Sequence, residues 1–356
     1  MKYLIQAPGK LILIGEYAVL EGAPALVMAV NRYARVSLNY WQNKFSVLHS
    51  PTLNIFNVTF IVDDSGKIKF TKKIPTTTQD RLSFFTETVH YLFHHHSKHF
   101  HWLPLEITLD TNDFFLDDQQ VKLGLGSSAA ITAALLRGLL VNIDEKFRPK
   151  TRLQFFQWAQ QIHSMAQGKK GSGIDLASSI YGGVISFQKT RKSFKIVKMN
   201  YPQNLILLPI WSGESASTTT MIEKMNHWKS LHPGKYWRIM NQLQGWSSEA
   251  ISAFQNNDVP AFLKRISSYY EALKKLDHAS GAGIITTAHK EIAHVVSRSG
   301  GIYKTSGAGG GDIGMAFTNS TDIARKVSEN ILRSGYQLLN LSLSKKGLTV
   351  KQIAKD

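Results

Sequence analysis

Cysteine is absent from this 356-residue chain. That removes disulfides, thiolate metal sites, iron–sulfur clusters and cysteine nucleophiles together, and it suits a reducing compartment. Long apolar runs are missing too. The best, Ala25–Val30 and Leu205–Trp211, fall well short of the roughly 18 residues of a membrane span. Gln6, Pro8 and Lys10 interrupt the only apolar start that a signal peptide would use. A cytoplasmic protein with no membrane partner is therefore expected. Acidic residues are scarce, with 25 Asp and Glu against 42 Lys and Arg, a net charge of +17. The cations fall in scattered pairs such as Lys72-Lys73, Lys169-Lys170, Lys274-Lys275 and Lys345-Lys346, with no stripe of interleaved aromatics. The expectation is a general attraction for small, highly charged anions and no nucleic-acid partner.

Three common signatures are absent as well. GxxxxGK[ST], HExxH and GxSxG occur nowhere in the chain, which withdraws the P-loop, zinc-peptidase and esterase-elbow readings. His90, His94, His95, His96, His99 and His101 crowd one segment without metal-ligand spacing and read as a polar helix end. His289 and His294 are five apart, off a shared helical face.

What is present suits a globular protein of two domains. Hydrophobic residues make up 43% and charged residues 19%, enough apolar material for real cores. Strand signals fill the first third, at Lys10–Gly15, Tyr33–Tyr40 and a hairpin of Asn54–Val62 and Lys67–Ile74 around Asp63–Gly66. Helical spacing marks Gln79–His99, Ser127–Val141 and Thr151–Gln167, the last with Thr151 as N-cap and Gly168 past its end. Leu105–Leu109 and Gly183–Phe187 read as strands. The polar stretch Arg191–Pro202 marks a boundary, dividing the chain into 1–195 and 196–356. Beyond it come strand Leu205–Trp211, helices near Thr218–Ser230, Tyr236–Phe254, Val259–Leu276 and Gly283–Ser297, strand Gly314–Thr318, helix Asp322–Leu332 and a basic tail. Segregated strands and helices predict an α+β fold.

Three glycine-rich stretches carry the chemistry. Gly124-Leu125-Gly126-Ser127-Ser128-Ala129 opens onto an Ala/Leu-rich helix, whose unpaired N–H groups and dipole favour an anion. A serine there also suits Mg²⁺ bridging phosphate oxygens, although a plain serine N-cap is the commoner use of such a turn. Gly171-Ser172-Gly173-Ile174-Asp175 puts a carboxylate at the mouth of a short helix, either as a cap or to receive or position a proton. In Ser306-Gly307-Ala308-Gly309-Gly310-Gly311-Asp312 and the residues after it, Gly309, Gly311 and Gly314 satisfy GxGxxG literally, yet they lead into a strand rather than a helix, which argues against a dinucleotide fold. Lys10 opens an apolar strand, an odd place for a lysine unless it pairs with a group such as Asp175.

Together, Ala7–Glu16 with its Pro8-Gly9-Lys10 core, Gly124–Ala130 and Ser306–Asp312 resemble the GHMP kinase superfamily, named for galactokinase, homoserine kinase, mevalonate kinase and phosphomevalonate kinase. Their order and spacing cover essentially the whole chain. Ala166-Gln167-Gly168 with Gly171–Asp175, and Trp211-Ser212-Gly213 through Ala216-Ser217-Thr218, resemble the phosphomevalonate kinase branch. Ile313 stands where that branch commonly has Cys. The resemblance implies an N-terminal mixed α/β domain, a ferredoxin-like C-terminal domain and a cleft for Mg²⁺ and ATP. It also implies phosphorylation of mevalonate 5-phosphate on the route to isoprenoids.

On that resemblance, Lys10 meets the transferring phosphoryl group and Asp175 orients it or the residual acceptor proton. Gly124–Ala129 hold the ATP phosphates, Ser127 or Ser128 contacts Mg²⁺, and Glu16 either completes the metal shell or forms a salt bridge. Ser172, Ser215, Ser217, Thr218, Lys304 and the loop Ser306, Gly307, Ala308, Gly309, Gly310 and Asp312 frame a small phosphorylated acceptor, with Lys169 and Lys170 as further cations. The quaternary expectation is a monomer or homodimer. A phosphate monoester has its second pKa near 6, so its attacking oxygen is largely ionised at neutral pH and alignment of two polyanions becomes the harder problem. The rivals are mevalonate kinase or another alcohol-phosphorylating relative, a catalytically silent metabolite-binding regulator, and the diphosphomevalonate decarboxylase branch.

Overall fold

The computed structural model describes residues 2–40, 43–96, 100, 102–116, 121–168, 171–191, 193–216 and 218–353. The N-terminal part is a nine-stranded sheet with helices on one face. Its frame is the antiparallel pair β1 (Lys2–Ile14) and β2 (Ala25–Tyr40). Ala34, Val36 and Leu38 of β2 are buried while Arg35, Ser37 and Asn39 are partly exposed, the alternation of a sheet covered on one face. Ala25–Val30 is buried throughout, so the same strand begins as a continuous apolar run.

β3 (Ser46–Ser50), β4 (Ile55–Val62) and β5 (Ile68–Phe70) extend the sheet, followed by α1 (Thr76–Arg81) and α2 (Ser83–His96). β6 (Leu105–Asp110) inserts between β2 and β3, parallel to β3. The small pair β7 (Phe115–Leu116) and β8 (Val121–Lys122) leads to α3 (Ser127–Leu139), α4 (Arg152–Gln167) and α5 (Ile174–Tyr181). α3 is buried on nearly every side, which its Ala/Leu composition allows. Gly138 lets it lie against β2, since a Cβ there would come within 2.8 Å of Leu38. β9 (Val184–Lys189) and β10 (Phe194–Met199) complete the edge beside β2.

The C-terminal part runs β11 (Ile206–Trp211), α6 (Thr218–Leu231), α7 (Pro233–Gln255), α8 (Val259–Ser280), α9 (Thr287–Arg298), β12 (Ile302–Thr305), β13 (Ile313–Thr318), α10 (Thr321–Arg333) and β14 (Gln337–Leu338). Its antiparallel sheet has the order β12-β13-β11-β14, the split βαββαβ arrangement of a ferredoxin-like domain. Phe262 of α8 packs edge-on against Phe317 of β13, with ring centroids 6.2 Å apart.

Two sequence expectations need correction. The 195/196 division falls inside β10, which pairs with β9 in the large sheet. Phe194-Lys195-Ile196-Val197-Lys198-Met199 lacks strict alternation, as an edge strand with little buried surface can. The basic tail forms β15 (Thr349–Ile353), which returns to pair with β1, Tyr3 opposite Gln352. The large sheet therefore draws on both ends of the chain.

Candidate active site

β1 carries Lys10 to the seam between the two halves. Gly9 sits so tightly against Phe114 that a Cβ would come within 2.9 Å of the ring, and Lys10 N donates to Leu125 O at 2.9 Å. The side chain, in a residue only 6% exposed, ends with Nζ donating to Gly124 O at 3.1 Å and 3.8 Å from Asp175 Oδ1. Gly126 is walled by the same pair, since a Cβ there would lie 3.3 Å from Lys10 and 3.4 Å from Asp175 Oδ2.

Neither helix start uses its polar residue as a cap. Gly126, in the left-handed region, is the N-cap of α3, which leaves Ser127 and Ser128 in the first turn. Gly173 likewise precedes α5, and Asp175 is its second residue. The carboxylate and the Ser128 hydroxyl instead line a cavity of about 590 Å³, bounded on the other side by Ala216, Gly307 and Asp312 of the C-terminal part. Free N–H groups of the α3 first turn end there, so the cavity combines a helix-dipole anion site with a buried ammonium group.

The loop after β12 is fastened to β1. Ser306 Oγ accepts from Ile12 N at 3.1 Å, and Tyr17 Oη donates to Ala308 O. Beneath them Lys304 pairs with Glu16, the residues being 0% and 2% exposed. Burial pushes the Glu16 carboxyl up against the pull of Lys304, and burial lowers Lys304 against the pull of Glu16. Asp312, in the left-handed region, accepts from Ala216 N at 3.1 Å; burial raises its carboxyl against that bond and the charges of Lys10 and Lys122. Gly124 has no room for a side chain, because a Cβ would overlap the Asp312 carboxylate.

The structure thus brings Lys10, Gly124, Gly126, Ser127, Ser128, Ser172, Asp175, Ser215, Ser306, Gly307, Ala308 and Asp312 to one cavity. Others lie elsewhere. Lys304 is sealed in a salt bridge with Glu16, which also lines the cavity. The side chains of Leu125 and Ala129 are buried in the core, which leaves only their backbone to serve the turn. Gly309 and Gly310 pack on Ile284, whose carbonyl takes the Gly310 N–H at 2.8 Å. Ser217, Lys169, Lys170, His99 and His101 lie outside the described residues, as does the side chain of Thr218.

Sequence reasoning missed a polar face of α4. Gln160, His163, Ser164 and Gln167 all line the cavity, and their spacing places them on one helical face, with Phe155 and Ile162 turned away from it. That period was the available signal. Lys122 and Tyr17 also line the wall.

His289 is a supporting core residue. Its Nδ1 meets Tyr303 Oη at 2.7 Å and its Nε2 meets Gly311 O at 2.9 Å, steadying the glycine loop. Burial pushes its pKa down from 6.5 to about 4. An unfolded chain binds that proton first, so the stability that His289 contributes is whole above pH 6.5 and is lost as pH falls toward 4. Urea unfolding of the parent is expected to weaken more between pH 7.5 and 5 than that of His289→Gln. Equal losses in the two proteins would refute this role.

Two halves thus contribute glycine-lined turns to one cavity suited to an anion. Residues 83–183 match the GHMP kinases N terminal domain. Among curated relatives, a phosphomevalonate kinase of Streptomyces sp. (strain CL190) is 27% identical over 345 residues, covering 88% of this chain and 89% of that protein. A mevalonate kinase of Arabidopsis thaliana is 25% identical over 389 residues, covering 98% and 100%. The fold matches Streptococcus pneumoniae phosphomevalonate kinase in complex with phosphomevalonate and AMPPNP, with a TM-score of 0.76 at 17% identity, covering 96% and 99%.

Proposed function

We propose that the protein transfers the γ-phosphoryl group of ATP to mevalonate 5-phosphate, forming mevalonate 5-diphosphate. The observation that carries this reading is the meeting of Lys10, Asp175, the start of α3 and the Gly307–Asp312 loop in one cavity. Two polyanions repel, and the fixed donors here oppose that repulsion: the Lys10 ammonium, the amides of the α3 first turn and, at the wall, Lys122. The sequence around Asp175 and the identity with a phosphomevalonate kinase along most of the chain support the phosphate acceptor over the alcohol.

Nucleotide phosphates fit the α3 turn because its backbone is bare at Gly124 and Gly126. The hydroxyl oxygens of Ser127 or Ser128 would hold Mg²⁺ at the same turn. Among the described residues no group of three His, Cys, Asp or Glu forms a dedicated cage, which an ion that keeps most of its water does not require. Bound there, it supplies charge neutralisation at the phosphates.

Lys10 lies where it draws the transferring group toward the acceptor, and Asp175 limits the swing of Lys10 and takes any residual acceptor proton. Steady-state ADP release tests the assignment. Mevalonate 5-phosphate is expected to turn over faster than mevalonate, and the reverse order identifies an alcohol kinase. With an ionised acceptor Asp175 is not an obligatory base, so Asp175→Asn is expected to lower kcat by about 10- to 100-fold, the modest end of general-base effects. A loss beyond about 10⁴-fold would show that Asp175 abstracts the acceptor proton.

A further inference from the structure

α4 reaches the phosphate turn at one point. His163 Nε2 lies 3.2 Å from Ser128 Oγ, and Gln167 Nε2 points to the same oxygen at 3.5 Å. The imidazole is held from behind by Phe84, stacked at 5.5 Å with 26° between the planes. All three polar residues line the cavity. We propose that His163 is a positioning residue that acts through Ser128: it takes the serine proton and turns an oxygen lone pair into the cavity, where a phosphate-bound cation needs one. The inference rests on the reading of this cavity as the nucleotide site.

The argument is one of hydrogen-bond capacity. A serine hydroxyl has one proton and two lone pairs. Gln167 occupies one lone pair. If Nε2 accepts the serine proton, the lone pair that remains faces the cavity; if Nε2 donates, only the O–H is left to face it. The cavity already offers donors to phosphate, in Lys10 and the α3 amides, and a serine lone pair would join the carboxylate oxygens of Asp175 and Asp312 on its wall. In a neutral imidazole one ring nitrogen donates and the other accepts. Geometry makes the arrangement durable: Phe84 and the packed helix α4 fix the ring, while an isolated serine would rotate among its rotamers.

His163→Leu removes the acceptor, whereas His163→Gln can present its side-chain carbonyl oxygen at a similar place. Calorimetric titration with AMPPNP, with and without Mg²⁺, reads the effect apart from turnover. His163→Leu is expected to weaken Mg²⁺-dependent nucleotide binding at least tenfold while changing Mg²⁺-free binding less than about twofold, and His163→Gln is expected to recover most of the loss. Ser128→Ala should reproduce the defect, and Ser128→Ala/His163→Leu should be no worse than Ser128→Ala alone, because His163 acts through that hydroxyl. Equal weakening with and without the metal, additive losses in the double variant, or a His163→Gln as impaired as His163→Leu would overturn the proposal. If Ser128→Ala itself leaves nucleotide binding intact in both conditions, the nucleotide reading of the turn fails, and the proposal fails with it. Circular dichroism of each variant separates these outcomes from unfolding; should His163→Leu not fold, His163→Gln and Ser128→Ala still decide whether the metal-dependent part moves alone.

Discussion

Lys10→Ala is expected to lower kcat by about 10³-fold or more, roughly 4 kcal/mol of transition-state stabilisation, while nucleotide affinity changes by less than about fivefold. The ammonium is nearly sealed, held by Gly124 O at 3.1 Å and faced by Asp175 at 3.8 Å. It therefore enters the reaction already oriented and partly stripped of water, the condition under which a charge stabilises a transition state most strongly. Binding of the nucleotide draws on the amides of the α3 turn as well, so affinity falls less than rate. Lys10→Arg is not expected to restore activity, because a planar, spread guanidinium does not reproduce the compact charge that the lysine places between Gly124 O and Asp175. A kcat within tenfold of the parent in Lys10→Ala, about 1.4 kcal/mol, would refute the charge role.

The second large effect is on stability. Lys304→Met leaves Glu16 buried without its cation, and breaking such a pair costs about 3–5 kcal/mol. Thermal unfolding is the readout, with a lowered midpoint and poor recovery of folded protein expected. Glu16→Gln/Lys304→Met removes both charges and is expected to regain most of the loss, since the penalty arises from the orphaned carboxylate rather than from a missing attraction. The same seam holds the Ser306–Ala308 loop on β1, through Ser306 to Ile12 and Tyr17 to Ala308. A single Lys304 variant that stays folded should thus also lose turnover, with the loop displaced over Lys10. If Lys304→Met unfolds at the parent's midpoint, the pair is not a structural seam.

Local features made much of this fold readable. The two apolar faces of β2 and the helical period of α3 and α4 are set by neighbours in sequence, as are the Thr151 cap, whose hydroxyl accepts from Gln154 N at 3.1 Å, and the left-handed Gly168 that ends the same helix. Lys10 drew notice because an ammonium in an apolar strand demands a partner, and the positive backbone angles at Gly124, Gly126 and Gly173 belong to glycine by its lack of a Cβ. These are consequences of chemistry within a few residues.

Pairings at long range were decided elsewhere. Nothing beside Lys304 reveals that its charge ends on Glu16, 288 positions away, rather than on a ligand. The return of β15 to β1 depends on which edge of the large sheet is left open. The unequal fates of the third loop's glycines, Gly307 at the cavity and Gly309 against Ile284, follow from the packing of that loop on the segment between α8 and α9. Composition and spacing by themselves determined the elements, the glycine turns and the reactive residue types of this protein. Only the tertiary structure decided which charges are spent on one another and which are left facing the cavity, because burial and partnership are properties of the packed whole.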